Sequence, residues 1–581
     1  MKSILLKLFL LFLVIENSFC IKINVQDDRI KFKDESFDKN NKQFDSNIQT
    51  YSIVFKQDDS GICAPFSVVN GVDKNAIAIA NYQGDLSING WAYLSINTSS
   101  SYNDTMQAAA AGFLEGFLTY QHTWDSKVNY YTNQFQSNSI PSKILDWILI
   151  NIQFMRESIK NEPDSIYWKH IELTLTQIEY MVFGHNEAVG ESNQEKSLQL
   201  ADFFILNMFG DLFDLVPALN LTDELTYYKK DLNNIEDYFS RAQHCSALVK
   251  LTADLGELFA GHTTWNSFST QVRILKSYTF GFSLESGIKS RSILFSSYPG
   301  VLISIDDFYQ LDTELVILET TNSLITNDLY HLIQPKSVLS WLRIMNANRL
   351  STDGATWCTT FALYNSGTYN NQYIIIDYKK FTPYKELRDG ALYVIEQIPL
   401  LVEYSDETDL LRISHFPSYN IPFFENIYNL SGYNTFKYPK GSQVEFLSYQ
   451  AAPRAEIFRR DASKIATIQD FQNLLRYNDW QNDPLSHNNP SYSISARRDL
   501  TPSSVGNATA DGGLDCKVTS YSLLQQGKIY AIGGPTYQQQ PVFQWSTSAF
   551  NLSVSHQGQP DVWKFDWFEY TSTTFNPITN E

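Results

Sequence analysis

Cys245 opens the run Cys245-Ser-Ala-Leu-Val-Lys250, and His262 and Trp265 follow in Gly261-His-Thr-Thr-Trp265. A thiol near an imidazole and an indole suits covalent acyl chemistry. The thiolate is the nucleophile, and a base within hydrogen-bond reach must take its proton. The local pattern lets a single fold of the chain bring these groups together. Ser246 to Thr252 is a β-rich run, Asp254-Leu255-Gly256 is a turn, and Glu257 to Gly261 is a returning strand. The expected hairpin has Cys245 at one end and His262 and Trp265 just past the other. Pattern alone favours a plainer reading, because a Cys at a strand start is more often a small buried hydrophobe or half a disulfide. Thr263 and Thr264 are alternative hydroxyl nucleophiles, but nothing beside them marks them as activated.

Other chemistries lack an anchor. The chain has no Gly-x-Ser-x-Gly, His-Glu-x-x-His, Cys-x-x-Cys or phosphate-binding Gly-Lys-Ser/Thr loop. Neither a metal nor a cofactor is therefore expected. The remaining histidines, among them His122, His170, His331 and His556, read as surface or hydrogen-bonded core residues.

The elements that must hold the hairpin fall into two groups. Thr50–Phe55, Ala76–Ala80 and Gly90–Ile96 read as strands. A helix follows from Thr105 to about Tyr120, capped by Asn103 or Asp104. Further helices are expected at Ser142–Lys160, Asp164–Tyr180 and Ser197–Phe213. Beyond Cys245 strands dominate, at Ile293–Phe295, Val301–Ile305, Glu314–Glu319, Tyr373–Asp377 and Gly390–Glu396. One helix is expected over Pro335–Met345, with Pro in its first turn. Helices that cluster early and strands that cluster late indicate α+β.

The composition narrows the setting. The chain has 581 residues, 43% of them hydrophobic, which excludes a disordered protein. Its 63 Asp and Glu outnumber 44 Lys and Arg for a formal charge of -19, so nucleic acid is not an expected partner. Residues 1–20 have a basic start, an apolar run from Ile4 to Ile15 and small residues before Cys20, the pattern of a signal peptide. No later run is long enough for a transmembrane segment. Secretion gives meaning to the Asn-x-Ser/Thr sites at Asn97, Asn103, Asn220, Asn429, Asn507 and Asn551, most of which are expected to carry glycan. Cys63, Cys245, Cys358 and Cys516 remain in the mature chain. A nucleophilic Cys245 must stay reduced, which leaves the pairing of the other three open.

Cys245-Ser-Ala-Leu-Val-Lys with Gly261-His-Thr-Thr-Trp-Asn resembles the self-cleavage site of the phospholipase B-like proteins. Leu318-Glu-Thr-Thr-Asn322, Arg349-Leu-Ser-Thr-Asp-Gly-Ala-Thr-Trp357, Pro417-Ser-Tyr-Asn-Ile-Pro422 and Ala452-Pro-Arg-Ala-Glu-Ile-Phe-Arg-Arg-Asp461 extend the resemblance in the same order. It runs from about residue 50 to the C-terminus. Membership implies the N-terminal nucleophile (Ntn) superfamily, with an αββα sandwich built from fragments 21–244 and 245–581 of a precursor cut between His244 and Cys245. It also implies that Cys245 acts as nucleophile with its own α-amino group as base, and that Asn420 stabilises the oxyanion. His262 and Trp265 would line the pocket. Thr321 is a candidate orienting hydroxyl. Arg454 is a candidate charge near the amine or substrate, although an ordinary ion pair would also account for it. A free α-amino group titrates at roughly 7.7–8.0 and burial lowers that value, so it can serve as a base in acidic surroundings. The resemblance implies a secreted or lysosomal enzyme that releases fatty acids from a phospholipid. The alternatives are an amidase acting on N-acyl lipids or peptides, and a processed but non-catalytic lysosomal glycoprotein. Oligomeric state is not legible from the chain.

Overall fold

Strands that are apolar on both faces must be covered twice, and the centre of this chain is built of such strands. In Leu315–Thr321 (β10) and Asn371–Asp377 (β11), Val316, Leu318, Ile374 and Ile376 pack into one core, while Leu315, Ile317, Tyr373 and Ile375 pack into another. The period of two along a strand produces this division. The computed structural model describes residues 48–55, 66–135, 138–222, 245–438 and 444–571.

Four layers result. The larger sheet has eleven strands. Before Cys245 these are β1 (Gln49–Phe55), β2 (Phe66–Asn70), β3 (Ala76–Gln83) and β4 (Ala92–Thr98). After Cys245 they are β7 (Ile274–Thr279), β8 (Ser292–Ser297), β9 (Phe308–Leu311), β10, β11, β12 (Leu392–Ile398) and β13 (Leu401–Asp406). Their order is β13-β12-β11-β10-β9-β8-β7-β4-β3-β1-β2. The smaller sheet takes β5 (Ser246–Leu251), β6 (Leu258–Ser267), β14 (His415–Ser418), β15 (Asp511–Ser520), β16 (Lys528–Gly533) and β19 (Phe568–Thr571), in the order β14-β5-β6-β15-β16-β19. A short pair, β17 (Phe543–Gln544) and β18 (Val562–Trp563), stands apart. Apolar residues of both sheets meet in one core, among them Ala247, Val249, Ala260, Val316 and Ile374.

Helices cover the outer face of the larger sheet: α1 (Asp104–Gln134), α2 (Ser142–Asn161), α3 (Ile166–Val189), α4 (Leu200–Asn207), α5 (Phe209–Ala218), α6 (Ser340–Leu350) and α7 (Gly354–Ala362). The outer face of the smaller sheet carries α8 (Pro453–Asp461) and α9 (Ile468–Leu475). The expected α+β class therefore takes the form helix, sheet, sheet, helix. β4 and β7 are paired in parallel from Ala92↔Ile274 to Asn97↔Thr279. Chain from either side of Cys245 thus contributes strands to one sheet.

Local expectations fare unevenly. Asn103 caps α1, its side chain accepting from the Met106 N–H at 2.8 Å. That helix runs far past Tyr120 because α3 crosses it at backbone contact. A Cβ on Gly112 would lie 1.9 Å from the Gln177 carbonyl, and one on Gly184 1.9 Å from that of Phe113. The helix expected over 197–213 is broken at Met208 into α4 and α5. Pro335 lies ahead of α6, which begins only at Ser340. Val301–Ile305 is not a strand but a buried loop, ending with Ile305 and Asp306 in the left-handed region (φ 45° and 76°).

Of the six sequons, Asn97 is corrected. It is 4% exposed in β4, with strands paired on both sides, so this fold has no room for a glycan there. Asn103, Asn220, Asn429 and Asn507 are exposed and Asn551 is half-buried. Cys245, Cys358 and Cys516 are all buried, unpaired thiols. Residues 1–20, Cys63 and His244 lie outside the described residues. Among the described residues no helix is long and apolar enough to cross a membrane.

Candidate active site

The expected hairpin is present, but its second strand is longer than the pattern indicates. Asp254 Oδ1 accepts from the Gly256 N–H at 2.9 Å and the Thr252 hydroxyl at 2.7 Å, closing the turn. β5 and β6 then pair through Ala247↔His262 to Ser246↔Thr263. His262 and Trp265 therefore lie inside β6, not past its end. They are three residues apart on a strand and so leave it on opposite faces. His262 follows Leu258 and Ala260 into the layer between the sheets. Trp265 turns the other way, and its indole N–H donates to the Ile494 carbonyl at 3.0 Å.

Cys245 is fully buried and its backbone is left-handed, with φ 82°. A side chain in that region costs of order 1–3 kcal/mol, held only because the surroundings fix it. Its thiol donates to Asp306 Oδ1 at 3.8 Å. Burial pushes the thiol pKa well above its ordinary value. The charges of Asp306 and Glu319 add to this, while the Trp265 backbone N–H pulls the other way.

Two later segments converge on the same residue. β14 pairs with β5 through Ser418↔Ala247, and continuing that register brings Asn420 level with Cys245. Asn420 is itself left-handed (φ 68°) and buried. Its Nδ2 donates to the Thr321 carbonyl at 2.7 Å, and its Oδ1 accepts from Arg454 Nη2 at 2.7 Å, which fixes the amide orientation. Arg454 stands in the first turn of α8, behind Pro453 at a position where its missing N–H costs nothing. Its Nη1 donates to the Cys245 carbonyl at 2.5 Å and the Ser246 hydroxyl at 3.1 Å, and its Nη2 reaches the Tyr419 carbonyl at 2.7 Å. The guanidinium lies 4.3 Å from the Trp265 ring. Burial, then the neighbouring Arg498, lowers the Arg454 pKa to about 9. Arg454 thus clamps the backbone at Cys245, and Trp265 supports Arg454. Thr321 enters through its carbonyl; it is the Thr320 hydroxyl that accepts from the Asn420 N–H, at 3.3 Å.

Both sheets supply groups that motif reading did not assign. Asp306, Asp307, Glu319, Asp515, Arg273 and Lys517 are all buried around the thiol and His262. Arg273 Nε meets Asp515 at 2.8 Å and its Nη1 lies 3.7 Å from Asp306, and Lys517 Nζ meets Asp515 at 2.7 Å. The Tyr298 hydroxyl donates to Asp306 Oδ2, leaving Oδ1 to the thiol. Tyr369 donates to Glu319 Oε1 at 3.3 Å. Four carboxyls face two cations, and burial pushes Asp306 and Asp307 up to about 7, with Glu319 held well above its usual range. Lys517 Nζ, a donor only, lies 3.1 Å from His262 Nδ1, so that nitrogen accepts and the neutral ring carries its proton on Nε2. Burial, with Lys517 and Arg273 adding to it, keeps His262 well below its ordinary pKa and neutral. The only sequence signals were the Glu inside Leu318-Glu-Thr-Thr-Asn322 and an Asp pair ending an apolar run. Both read equally well as turn chemistry.

Cys245, His262 and Glu319 offer donor atoms within 4.8 Å of one another, a spacing that could hold a metal ion. The Lys517 ammonium beside the imidazole opposes a divalent cation there, so the cluster reads as acid–base chemistry around a thiol.

A family model described as Phospholipase B matches residues 78–570. Phospholipase B-like protein D of Dictyostelium discoideum is 48% identical over 580 residues, covering 99% of each chain. Human Phospholipase B-like 1 is 37% identical over 519 residues, 88% of this chain and 89% of its own. Phospholipase B of Crotalus adamanteus is 37% identical over 512 residues, 86% of this chain and 90% of its own. The match reaches from β3 to the last strand of the smaller sheet and takes in Cys245, Asn420 and Arg454, and the chain belongs to the phospholipase B family.

Proposed function

We propose that this chain is an N-terminal nucleophile hydrolase that cuts itself between His244 and Cys245 and then releases fatty acids from glycerophospholipids. The observation that carries the reading is the state of Cys245: buried, left-handed, its thiol on Asp306 and its carbonyl clamped by Arg454. The uncut chain has no free α-amine at Cys245, so another base must act first. Asp306 takes the thiol proton, Sγ attacks the His244 carbonyl carbon, and the C–N bond breaks as a proton passes to the Cys245 nitrogen. Water opens the resulting thioester to a His244 carboxylate and a free thiol.

In the cut chain the neutral α-amine takes the thiol proton. The thiolate attacks the ester carbonyl, and the oxyanion accepts from Asn420 Nδ2, whose orientation Thr321 and Arg454 hold. The C–O bond breaks, the leaving alcohol takes the proton from the ammonium, and water releases the fatty acid from sulfur. The Crotalus adamanteus relative, a phospholipase B, supports the phospholipid substrate. The leader-like residues 1–20 and the sequons on the surface support a secreted or lysosomal glycoprotein. Endoglycosidase should therefore shift the mature protein on a gel, and peptide mapping should find Asn97 bare.

The test is fatty-acid release from phospholipid micelles by fully cut protein, without added metal and below pH 7. Thiol alkylation should abolish it. Asn420→Gly, which tolerates the left-handed backbone, should lower kcat about 10²–10³-fold. Turnover that survives alkylation removes Cys245 from the mechanism. Far faster cleavage of an N-acyl amide than of the ester makes the amidase the activity. No turnover of either leaves a processed, non-catalytic glycoprotein.

A further inference from the structure

We propose that Glu396 of β12 is a positioning residue for the oxyanion step, holding Asn420 level with Cys245 from inside the larger sheet; this rests on the acyl-hydrolase reading above. The faces that β10, β11 and β12 turn toward the smaller sheet are apolar, with Val316 and Leu318, Ile374 and Ile376, and Leu392 and Val394 in the shared core. One row breaks that pattern. Thr320, Gln372 and Glu396 continue the same three faces. They stand side by side, since Thr320 pairs with Gln372 and Gln372 with Glu396. All three are buried. A buried carboxyl is costly unless it is hydrogen-bonded, and the groups that satisfy this one lead to Asn420.

Four N–H groups converge on the Glu396 carboxyl. Its Oε1 accepts from Gln372 Nε2 at 2.7 Å, the Phe423 N–H at 2.8 Å and Asn322 Nδ2 at 3.1 Å, and its Oε2 accepts from the Phe424 N–H at 3.0 Å. Phe423 and Phe424 follow Asn420 by three and four residues in the same loop. Asn322 follows Thr321, whose carbonyl takes the Asn420 amide. Glu396 therefore ties the loop that carries the oxyanion donor to the strand end that orients it. Thr320 closes the row, its hydroxyl 2.6 Å from that of Ser418 and accepting from the Asn420 N–H. Asn420 is left-handed, a conformation kept only where the chain on either side is gripped. Burial raises the Glu396 pKa to about 7 against the pull of the four hydrogen bonds. Both oxygens of a carboxyl keep acceptor capacity in either protonation state.

The test is a double-mutant cycle on the cut enzyme with a glycerophospholipid substrate. Glu396→Gln keeps the shape but turns one oxygen into an amide nitrogen, which accepts nothing, so at least one of the four donors loses its partner. A misplacement of about 1 Å at a catalytic group costs about 10²-fold in rate, so kcat should fall about 10- to 100-fold with KM unchanged. Placed on Asn420→Gly, the same substitution should cost nothing further, because the amide it positions is already gone. Equal losses in both backgrounds, or no loss in either, overturn the assignment while leaving the hydrolase reading intact. If Glu396→Gln fails to fold or to cut, Asn322→Ala, which removes one donor of the four, carries the same cycle with the same outcomes. If wild-type protein hydrolyses no acyl substrate, the hydrolase reading fails, and a crystal structure of Glu396→Gln decides the positioning separately. An Asn420 amide drawn off the Thr321 carbonyl supports it; an unmoved one ends it.

Discussion

Cys245→Ala should run on a denaturing gel as a single uncut chain, where the wild type gives two. The wild-type pieces, residues 21–244 and 245–581, should weigh about 26 and about 39 kDa before glycan. N-terminal sequencing of the larger should read Cys-Ser-Ala-Leu-Val-Lys. Ala keeps the Cβ, so the cost of the left-handed backbone is the same in both proteins, and loss of one buried sulfur costs on the order of 1 kcal/mol in packing. The variant should therefore fold, and its failure to cut is a chemical result. A separate protease acting on an exposed junction is the competing explanation; it has no need of the thiol and would cut the Ala variant normally. Cys245→Ser should still cut, slowly, since a hydroxyl can make the same acyl shift. The wild-type pieces should co-purify without a disulfide, because β4 of the first is hydrogen-bonded along its length to β7 of the second. Normal cutting of the Ala variant, or a fragment starting elsewhere, sinks the N-terminal nucleophile reading.

The second large effect is on the rate of that cut. Asp306→Asn should slow it about 10²–10⁴-fold, the usual contribution of a positioned general base. Asn has the shape of Asp and is among the side chains best tolerated at positive φ, so the left-handed turn at 306 survives. The Tyr298 and Arg273 contacts persist in weakened form. The pH dependence gives a second readout. Burial outweighs the pull of Arg273 and sets the Asp306 pKa at about 7. The carboxylate is the basic form, so the wild-type rate should be full above that value and fall about tenfold per pH unit below it. The variant should lack that step. Freshly translated precursor, sampled over time after a pH jump, supplies both measurements. A wild-type rate in Asp306→Asn, or the same pH step in both proteins, removes Asp306 as the base.

Much of this was open to reading in the chain. The hairpin was, because Asp254-Leu-Gly256 and the β-rich runs beside it are local features. Short continuous apolar runs marked β8, β10, β11 and β12, and Asn103 marked the start of α1. Errors gathered where the partner lies far away in the chain. The length of β6 depends on β15, more than two hundred residues later, which pairs with it as far as Ser267. Without that partner, nothing in Thr263-Thr-Trp-Asn distinguishes a strand from the loop after one. Val301–Ile305 has strand composition, yet Lys276 and Asn207 take its Val301 carbonyl and Leu302 N–H, and no ladder forms.

The sequence by itself determined the family, the α+β class, the candidate nucleophile and the two distant segments that carry Asn420 and Arg454. Residue order is enough for these, because side-chain type and local spacing already restrict the chemistry. Only the tertiary structure decided where each group sits and what it touches. It sent His262 and Trp265 to opposite faces of one strand, gave Thr321 a carbonyl role, buried Asn97 and placed a strained, protonated thiol against Asp306. Above all it gathered Asp306, Asp307, Glu319, Asp515, Arg273 and Lys517 from both sheets around one sulfur. Each of those charges reads as solvated in its own segment. Burial in a common core is what raises the pKa values of Asp306, Asp307 and Glu319, and burial depends on the packing of the two sheets.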